Sequence, residues 1–282
     1  MNDTLQRFIF EHSDVRGEIA HLNESFTTII KQHNYPKPIH AVLGEALVAS
    51  VLLCATIKFQ GQLTLQFQSD GPLKLLVVKC NHQYHIRGVA QFDSEKVMAN
   101  ENPTSLLGYG QLVVTLQTLD QKNSYQSIIP LHKQGISHSL ENYFAQSEQL
   151  ATRVWLAVDD KSAAGILLQL LPKQTTRDRE CFWEHAVKLG ETLKEDELLH
   201  LDNETILKRL YHDQDIRLFP AQSIQFLCTC NKLRMENAIR ILGQDEAQSI
   251  LSQKQLIIVT CEFCNHQFSF DKIDIAAIFH EK

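Results

Sequence analysis

The first part of the chain, up to about Pro172, alternates apolar and polar residues with the period of two that is typical of strands with one buried face. Leu63, Leu65 and Phe67, for example, alternate with glutamine and threonine residues. The triplet Asp70-Gly71-Pro72 then indicates a turn, which predicts a hairpin with the next apolar run. The pattern predicts strands over residues 8–11, 16–22, 62–68, 73–79, 84–92, 111–119, 125–131, 153–158 and 166–171.

Helical patterns interrupt these strands at residues 23–33, 38–57 and 139–149. Asn23 is a candidate N-cap of the first helix. The longest nearly apolar run, residues 46–57, is shorter than the ~18 residues that a membrane-spanning helix needs, so it predicts a buried helix and no membrane partner. Helices mixed with strands in this way predict an α+β fold.

Beyond Pro172 the pattern changes to charged helical sequence, and we define residues 173–219 as the linker. Gly190 is expected to end its first helix, and Thr192 and Glu195 have the spacing of a capping box for the next. Narrow apolar stripes bury little surface, so the linker should be marginally stable and should dock on another part of the chain. The stripes consist of Phe182, Ala186 and Leu189 in one helix and of Ile206, Leu207, Leu210 and Tyr211 in another.

Length and composition support a division into parts. A chain of 282 residues with 44% hydrophobic and 21% charged residues is an ordinary globular protein, long enough for one large domain and a small one. We predict a strand-rich α+β core domain over residues 1–172, a metastable helical linker over 173–219 and a small C-terminal domain over 220–282. The N-terminus has no signal-peptide pattern, so a cytoplasmic location is expected.

The cysteines carry the clearest chemical signal. Of seven, four form the pairs Cys228-Thr229-Cys230 and Cys261-Glu262-Phe263-Cys264, with thirty residues between the pairs. Two close pairs joined by a loop are typical of a tetrahedral zinc site, which predicts one zinc ion bound by Cys228, Cys230, Cys261 and Cys264. The loop has room for a helix from Asn231 to Leu242 that ends at Gly243. His266 is an alternative ligand, although four cysteines already complete the tetrahedron.

Spacing alone leaves the role of such a site open. A purely structural zinc site is one reading, and a thiol oxidoreductase that uses one of the cysteine pairs is another. A zinc ribbon for nucleic acid is disfavoured, because the net charge is −6 and residues 220–282 carry six basic against seven acidic residues. The motifs of common hydrolases, nucleotide-binding proteins and metalloproteases are missing, so no catalytic residue is predicted. Cys54, Cys80 and Cys181 are scattered and are expected to be packing residues.

Several stretches resemble one known family along nearly the whole chain. They are Val15-Arg16-Gly17-Glu18, Leu43-Gly44-Glu45-Ala46, Ile57-Lys58-Phe59-Gln60-Gly61, Asp70-Gly71-Pro72, the run from Tyr143 to Gln149, and the two cysteine pairs. With these the sequence resembles the bacterial 33 kDa redox-regulated chaperonin family of heat-shock holdases. Asn231-Lys232-Leu233 and Ala151 depart from the family pattern, but neither removes a cysteine.

The resemblance implies a stress-response chaperone that works without ATP and in which residues 220–282 form a zinc-binding redox-switch domain. Its reduced, zinc-bound form would be inactive, and oxidation would pair Cys228 with Cys230 and Cys261 with Cys264, with loss of zinc. The oxidised form would bind unfolding client proteins, unfold its linker and form a homodimer. Thiolates are the species that peroxide and hypochlorite attack, and a C-x-C disulfide closes a small ring, so both features suit a reversible regulatory bond.

Overall fold

The computed structural model describes residues 3–98, 106–119, 124–132, 134–172 and 177–280. The chain forms two compact units, residues 1–226 and 227–282. The described residues mix strands and helices, which confirms the predicted α+β class. The predicted division into three domains remains a prediction, and residues 173–176 of the linker lie outside the described residues.

The first unit contains two sheets built from the predicted alternating strands. One has the order β10-β1-β2-β9-β8, with β11 also paired to β1, and the other has the order β12-β5-β4-β3-β6-β7. Neighbouring strands are antiparallel except β12 and β5, which are parallel. The strands are β1 Thr4–Phe10, β2 Val15–Leu22, β3 Gly61–Ser69, β4 Leu73–Asn81, β5 His85–Phe92, β6 Gly110–Thr118, β7 Ser124–Pro130, β8 Thr152–Val158, β9 Ala163–Leu170, β10 Ile216–Leu218, β11 Gln222–Ser223 and β12 Gln225–Phe226.

The apolar helix α2, Lys37–Thr56, packs against strands of both sheets and forms the centre of the largest core. It is apolar on all sides because both faces are covered. Among the described residues it alone is long and apolar enough to cross a membrane, but 78% of its apolar window is buried inside the protein, as in the core helix of many globular proteins. Its predicted burial is confirmed. The other helices of this part are α1 Glu24–Lys31, α3 Ser94–Met98 and α4 Ile136–Tyr143, and a π-helical turn follows at Phe144–Glu148.

The helices of the linker cover the outer face of the first sheet. They are α5 Arg177–Gly190, α6 Glu195–His200 and α7 Asn203–Leu210. Their buried apolar residues form a second core with residues of β1, β2, β8 and β9. The ring of Phe10 lies edge-on to Phe182 and Tyr211, at 5.2 and 5.0 Å between ring centroids. The narrow stripes therefore do dock, as the pattern predicted, and their partner is the strand-rich core.

The linker ends its first helix at Gly190, as predicted, and packing explains the glycine. A Cβ atom at Gly190 would lie 2.7 Å from the Trp155 ring, so only glycine allows this close approach. The predicted capping box of Thr192 and Glu195 is wrong. The helix begins at Glu195, the Glu197 carboxylate accepts from the Lys194 N–H, and the Thr192 hydroxyl donates to the Leu189 carbonyl instead.

Asn23 occupies the N-cap position of α1, as predicted, but its own side chain does not cap the helix. The Asp3 carboxylate accepts from the backbone N–H groups of Asn23, Glu24 and Ser25, while the Asn23 side chain accepts from the Ser162 hydroxyl. A carboxylate is a stronger acceptor than an amide for the positive end of the helix dipole.

The second unit is small. Helices α8 Lys232–Leu242, α9 Gln244–Gln253 and α10 Lys272–His280 pack on a hairpin of β13 Ile257–Thr260 and β14 Gln267–Phe270. Its buried core consists of Ile239, Ala247, Leu251, Ile257, Phe270, Ile275 and Ile278. So few apolar residues give limited stability on their own, which leaves room for a further stabilising element.

Candidate metal centre

The first cysteine pair lies directly before a helix. Cys228 and Cys230 precede α8, whose N-cap is Asn231: the Asn231 side-chain oxygen accepts from the Arg234 N–H at 2.9 Å. The Arg234 guanidinium donates in turn to the Thr229 hydroxyl at 2.6 Å, which fixes the residue between the two cysteines. The helix over 232–242 and its end at Gly243, where φ is +96°, confirm the sequence prediction.

The second pair forms the turn of the β13–β14 hairpin. The Cys261 N–H donates to the His266 carbonyl at 2.9 Å, and the Cys261 carbonyl accepts from the N–H groups of Cys264 and Asn265 at 3.3 and 2.8 Å. Asn265 has a left-handed φ of +56°, a conformation that asparagine tolerates better than most residues. The turn therefore bends back on itself and holds Cys261 and Cys264 on the same side.

The four sulfur atoms converge within the second unit, all within 4.8 Å of one another. The Cys228 and Cys261 sulfurs lie 3.7 Å apart, and those of Cys230 and Cys264 lie 3.5 Å apart. Sulfurs placed tetrahedrally at about 2.3 Å from one zinc ion are about 3.8 Å apart. The arrangement is therefore compact enough for all four to bind one ion.

The surroundings shift the pKa values of the thiols in different directions. Burial raises the pKa of Cys230 and of Cys264, and hydrogen bonds with neighbouring thiols add to the rise at Cys230. At Cys228 burial acts in the same direction, but a backbone hydrogen bond at Cys230 and bonds from the neighbouring thiols outweigh it, so its pKa lies below the ordinary value.

The donor set indicates which metals fit. Four thiolate sulfurs in a closed tetrahedron suit zinc, or iron in an iron–sulfur type of centre, far better than magnesium or calcium. One of the four cysteines is buried and three are half-buried, so the centre is partly enclosed and stays accessible to solvent. His266 lies beside this centre, but its ring is exposed and packs edge-on to Phe268 at 4.6 Å, and it does not belong to the group that could hold a metal.

The remaining cysteines lie elsewhere. Cys54 and Cys80 are buried in the core of the first unit, as predicted, whereas Cys181 is exposed on α5, so its predicted packing role is wrong. The sequence did not point to Thr229, Asn265 or the His266 carbonyl, which shape the two turns. Only the asparagine directly after the second pair is a usable signal, because a left-handed residue is often needed there.

Comparison with known proteins identifies the family. The family described as Hsp33 protein matches residues 3–271. The 33 kDa chaperonins of Ectopseudomonas mendocina and Shewanella woodyi are 42% and 43% identical to this chain, over 99% and 98% of it and 96% of each relative. The crystal structure of the 33 kDa chaperonin of Thermotoga maritima has the same fold, with a TM-score of 0.82, 21% identity and 98% of both chains covered.

These similarities extend over both units of the chain and define a protein of the chaperone class. The chain belongs to the Hsp33 protein family. Membership supports function as a chaperone and not as a member of a known enzyme class.

Proposed function

We propose that this chain is a redox-regulated, ATP-independent holdase that is inactive when reduced and binds unfolding client proteins when oxidised. The observation that carries the proposal is the convergence of Cys228, Cys230, Cys261 and Cys264 within 4.8 Å in the small second unit. Free thiols of this kind persist in a reducing compartment, which fits the cytoplasm.

In the reduced form we assign these four cysteines as the ligands of one zinc ion. Bound zinc would keep the sulfurs as thiolates and contribute folding free energy on the order of 10 kcal/mol to the second unit. The weak apolar core of that unit is consistent with such a need.

Oxidation would then remove the ligands. We propose that each cysteine pairs with its near neighbour, Cys228 with Cys230 and Cys261 with Cys264. For each bond formed, two thiolates give two electrons to peroxide or hypochlorite, which takes up protons from solvent and is reduced to water, or to chloride and water, and zinc is released. Sulfur contacts of 3.7 and 3.5 Å run between the two pairs, so near-neighbour bonds require the two sulfurs of each pair to turn toward each other. Peptide mapping of oxidised protein distinguishes near-neighbour bonds from crossed ones.

Release of the linker would convert oxidation into client binding. Strands β10, β11 and β12 connect α7 to Cys228 along the chain and are only two or three residues long, so unfolding at the cysteines is expected to loosen them first. The linker helices would follow and expose Phe182, Trp183 and Leu210, together with the sheet face they cover. The exposed apolar surface would bind unfolded clients and support homodimerisation of the activated protein.

Zinc content and suppression of client aggregation, measured in parallel on reduced and oxidised protein, test this proposal. We expect about one zinc per reduced chain, loss of zinc on oxidation, and suppression by the oxidised form only. Cys264→Ser should lose zinc, and Cys181→Ser, at the exposed cysteine, should not. One zinc per chain without any activation by oxidation would instead support a purely structural site.

A thiol oxidoreductase is the second candidate, favoured by the lowered pKa of Cys228 and by the position of its pair before helix α8. Against it, Cys261 and Cys264 lie in a hairpin turn between two strands and not at a helix N-terminus. Catalytic turnover in an insulin-reduction assay, compared with thioredoxin, would support the enzyme.

A further inference from the structure

Two cysteines far apart in sequence meet in the core of the first unit. Cys54 lies in the last turn of α2, and Cys80 lies near the end of β4. Their thiols donate to the same acceptor, the carbonyl oxygen of Asn81, at 3.3 and 3.5 Å. The oxygen also accepts the Tyr84 N–H at 2.9 Å, and Asn81 is held by a turn in which its side chain accepts from the N–H groups of Gln83 and His85.

The shared acceptor places the two thiols next to each other, because both sulfur atoms lie within 3.5 Å of one oxygen atom. A carbonyl oxygen has two lone pairs, and the Tyr84 N–H occupies one of them, so both thiol protons cannot be fully satisfied there. Because α2 packs directly on β4, the two side chains approach this oxygen from facing elements, and a disulfide would join the helix to the strand on which it packs.

Burial protects this pair in the folded state. Cys54 is 3% exposed and Cys80 is fully buried, and burial raises the pKa of Cys80, which keeps the thiol protonated and slow to react. The end of α2 is held in addition by Arg7 and Arg16, whose guanidinium groups donate to the Ala55 and Thr56 carbonyls. Oxidant therefore reaches the pair only when this end of α2 opens, which heat promotes.

We propose that Cys54 and Cys80 form a second redox pair, independent of the four C-terminal cysteines, that closes to a disulfide when peroxide acts on the warmed protein. One thiolate displaces hydroxide from the peroxide O–O bond and becomes a sulfenic acid; the second thiol attacks that sulfur and releases water. Overall two S–H bonds are lost, one S–S bond forms, and the peroxide is reduced to two waters.

The bond would tie the end of α2 to β4 and close a loop of about 27 residues. By restricting the unfolded chain it would stabilise the core of the first unit under the oxidising, heated conditions in which that core must persist. The pair would act on the stability of the core, whereas the C-terminal cysteines would act on activation.

Peptide mapping without reduction, on the full chain warmed with hydrogen peroxide and then alkylated, tests this proposal. We expect a reductant-sensitive peptide that links Cys54 to Cys80 in the unaltered chain and in the matched control Cys181→Ala. Recovery of Cys54 and Cys80 as alkylated thiols, as separate sulfinic acids, or in bonds to other cysteines would overturn it.

Thermal unfolding gives a second readout. Oxidation should raise the unfolding midpoint of the first unit by roughly 5 to 10 °C in the unaltered chain and in Cys181→Ala. It should not raise it in Cys54→Ala or Cys80→Ala, each compared with its own reduced form so that direct packing losses cancel. If either alanine variant fails to fold, the peptide map of the unaltered chain decides alone, and an equal shift in all variants contradicts the proposal.

Discussion

Glu18 is the residue whose environment departs most from that of an ordinary surface acid. It is 1% exposed on β2, and its Oε2 atom has no hydrogen-bond partner among the described residues. Burial raises the pKa of Glu18 to about 7, although the positive charges of Arg16 and Arg7 act in the opposite direction. The desolvation of the carboxylate thus outweighs its attraction to two arginines.

This imbalance predicts the pH dependence of stability. A carboxyl whose pKa is raised on folding stabilises the folded state below its unfolded pKa, near 4.5, and that contribution is lost as the pH rises through about 7. Glu18→Gln should therefore raise the free energy of unfolding at pH 8 by about 1 to 3 kcal/mol and flatten its pH dependence between pH 5 and 8. Denaturant unfolding at several pH values measures this. Destabilisation by Glu18→Gln at pH 8 would mean that the arginine pairs dominate.

At the residue level, the spacing of the cysteines was sufficient to predict that the four group together, but it did not predict the residues that surround them. Pairs such as Cys261 and Cys264 are local, so the sequence shows them directly. Asp3 caps a helix that begins about twenty residues later, and the strand pairing that brings it there is not a local property. Cys181 was misplaced for a related reason, because its apolar neighbours Phe182 and Trp183 point to the sheet while it faces solvent.

Among the elements, the linker helices depend most on their docking surface. A buried polar contact helps to fix them: Nε2 of His21 on β2 donates to Oδ1 of Asn203 on α7 at 2.9 Å, and the Asn203 amide donates to Gln6. Burial lowers the pKa of His21 despite the opposing effect of this bond. The docked form therefore favours neutral His21.

Acid should consequently weaken the docking of α7. Because the pKa of His21 is lowered on folding, the undocked form binds the proton better, and the stability that neutral His21 provides above about pH 6.5 is lost as the pH falls below it. Hydrogen-exchange protection factors of α7 should fall on acidification from about pH 7.5 to 5.5.

His21→Gln should remove that dependence and His212→Gln, at an exposed histidine, should retain it. Both variants are needed because a second group titrates in the same range. Burial and the nearby charge of Glu195 raise the pKa of Glu45 to about 7, so protonation of Glu45 by acid strengthens docking where protonation of His21 weakens it. Equal pH dependence in both variants would show that another group is responsible.

Weaker packing of the linker should also lower the threshold for activation. Ile206 is 1% exposed in the core between α7 and the sheet, so Ile206→Ala should cost about 2 to 4 kcal/mol of docking free energy. Peroxide-treated Ile206→Ala protein should then suppress client aggregation at a lower temperature than unaltered protein treated in the same way. Glu204→Ala on the exposed face of α7 is the matched control. If both variants suppress aggregation from the same temperature, the docking free energy of the linker does not set the threshold for activation.

The period-two pattern was enough to predict the long strands but not their order in the sheets. Each strand with a buried face, such as Gly61–Ser69, shows its alternation in the sequence. Strands β10 to β12 are two or three residues long and have no pattern to detect, since only their partners β1 and β5 define them. The pairing of segments that are distant along the chain could therefore not be predicted from the sequence.

For the whole molecule, we predict that the two units respond differently to loss of the metal. A thiol-specific mercurial that displaces the cysteine ligands from zinc should unfold the second unit. Its core of seven buried residues is too small to compensate for the loss of zinc binding, which contributes folding free energy on the order of 10 kcal/mol. The long strands of the first unit, which enclose α2, should remain folded. Stepwise thermal unfolding before and after treatment measures this, and an unchanged second unit would exclude a folding role for the metal.

Release of the linker on oxidation is tested by hydrogen exchange of α5, α6 and α7 in reduced and in peroxide-treated, warmed protein, together with light scattering of a heat-denaturing client. We predict that these helices lose protection in the oxidised protein, that the sheets keep theirs, and that client aggregation is suppressed to the same extent as protection is lost. Oxidised protein that suppresses aggregation while α5 to α7 stay as protected as in the reduced form would contradict the account.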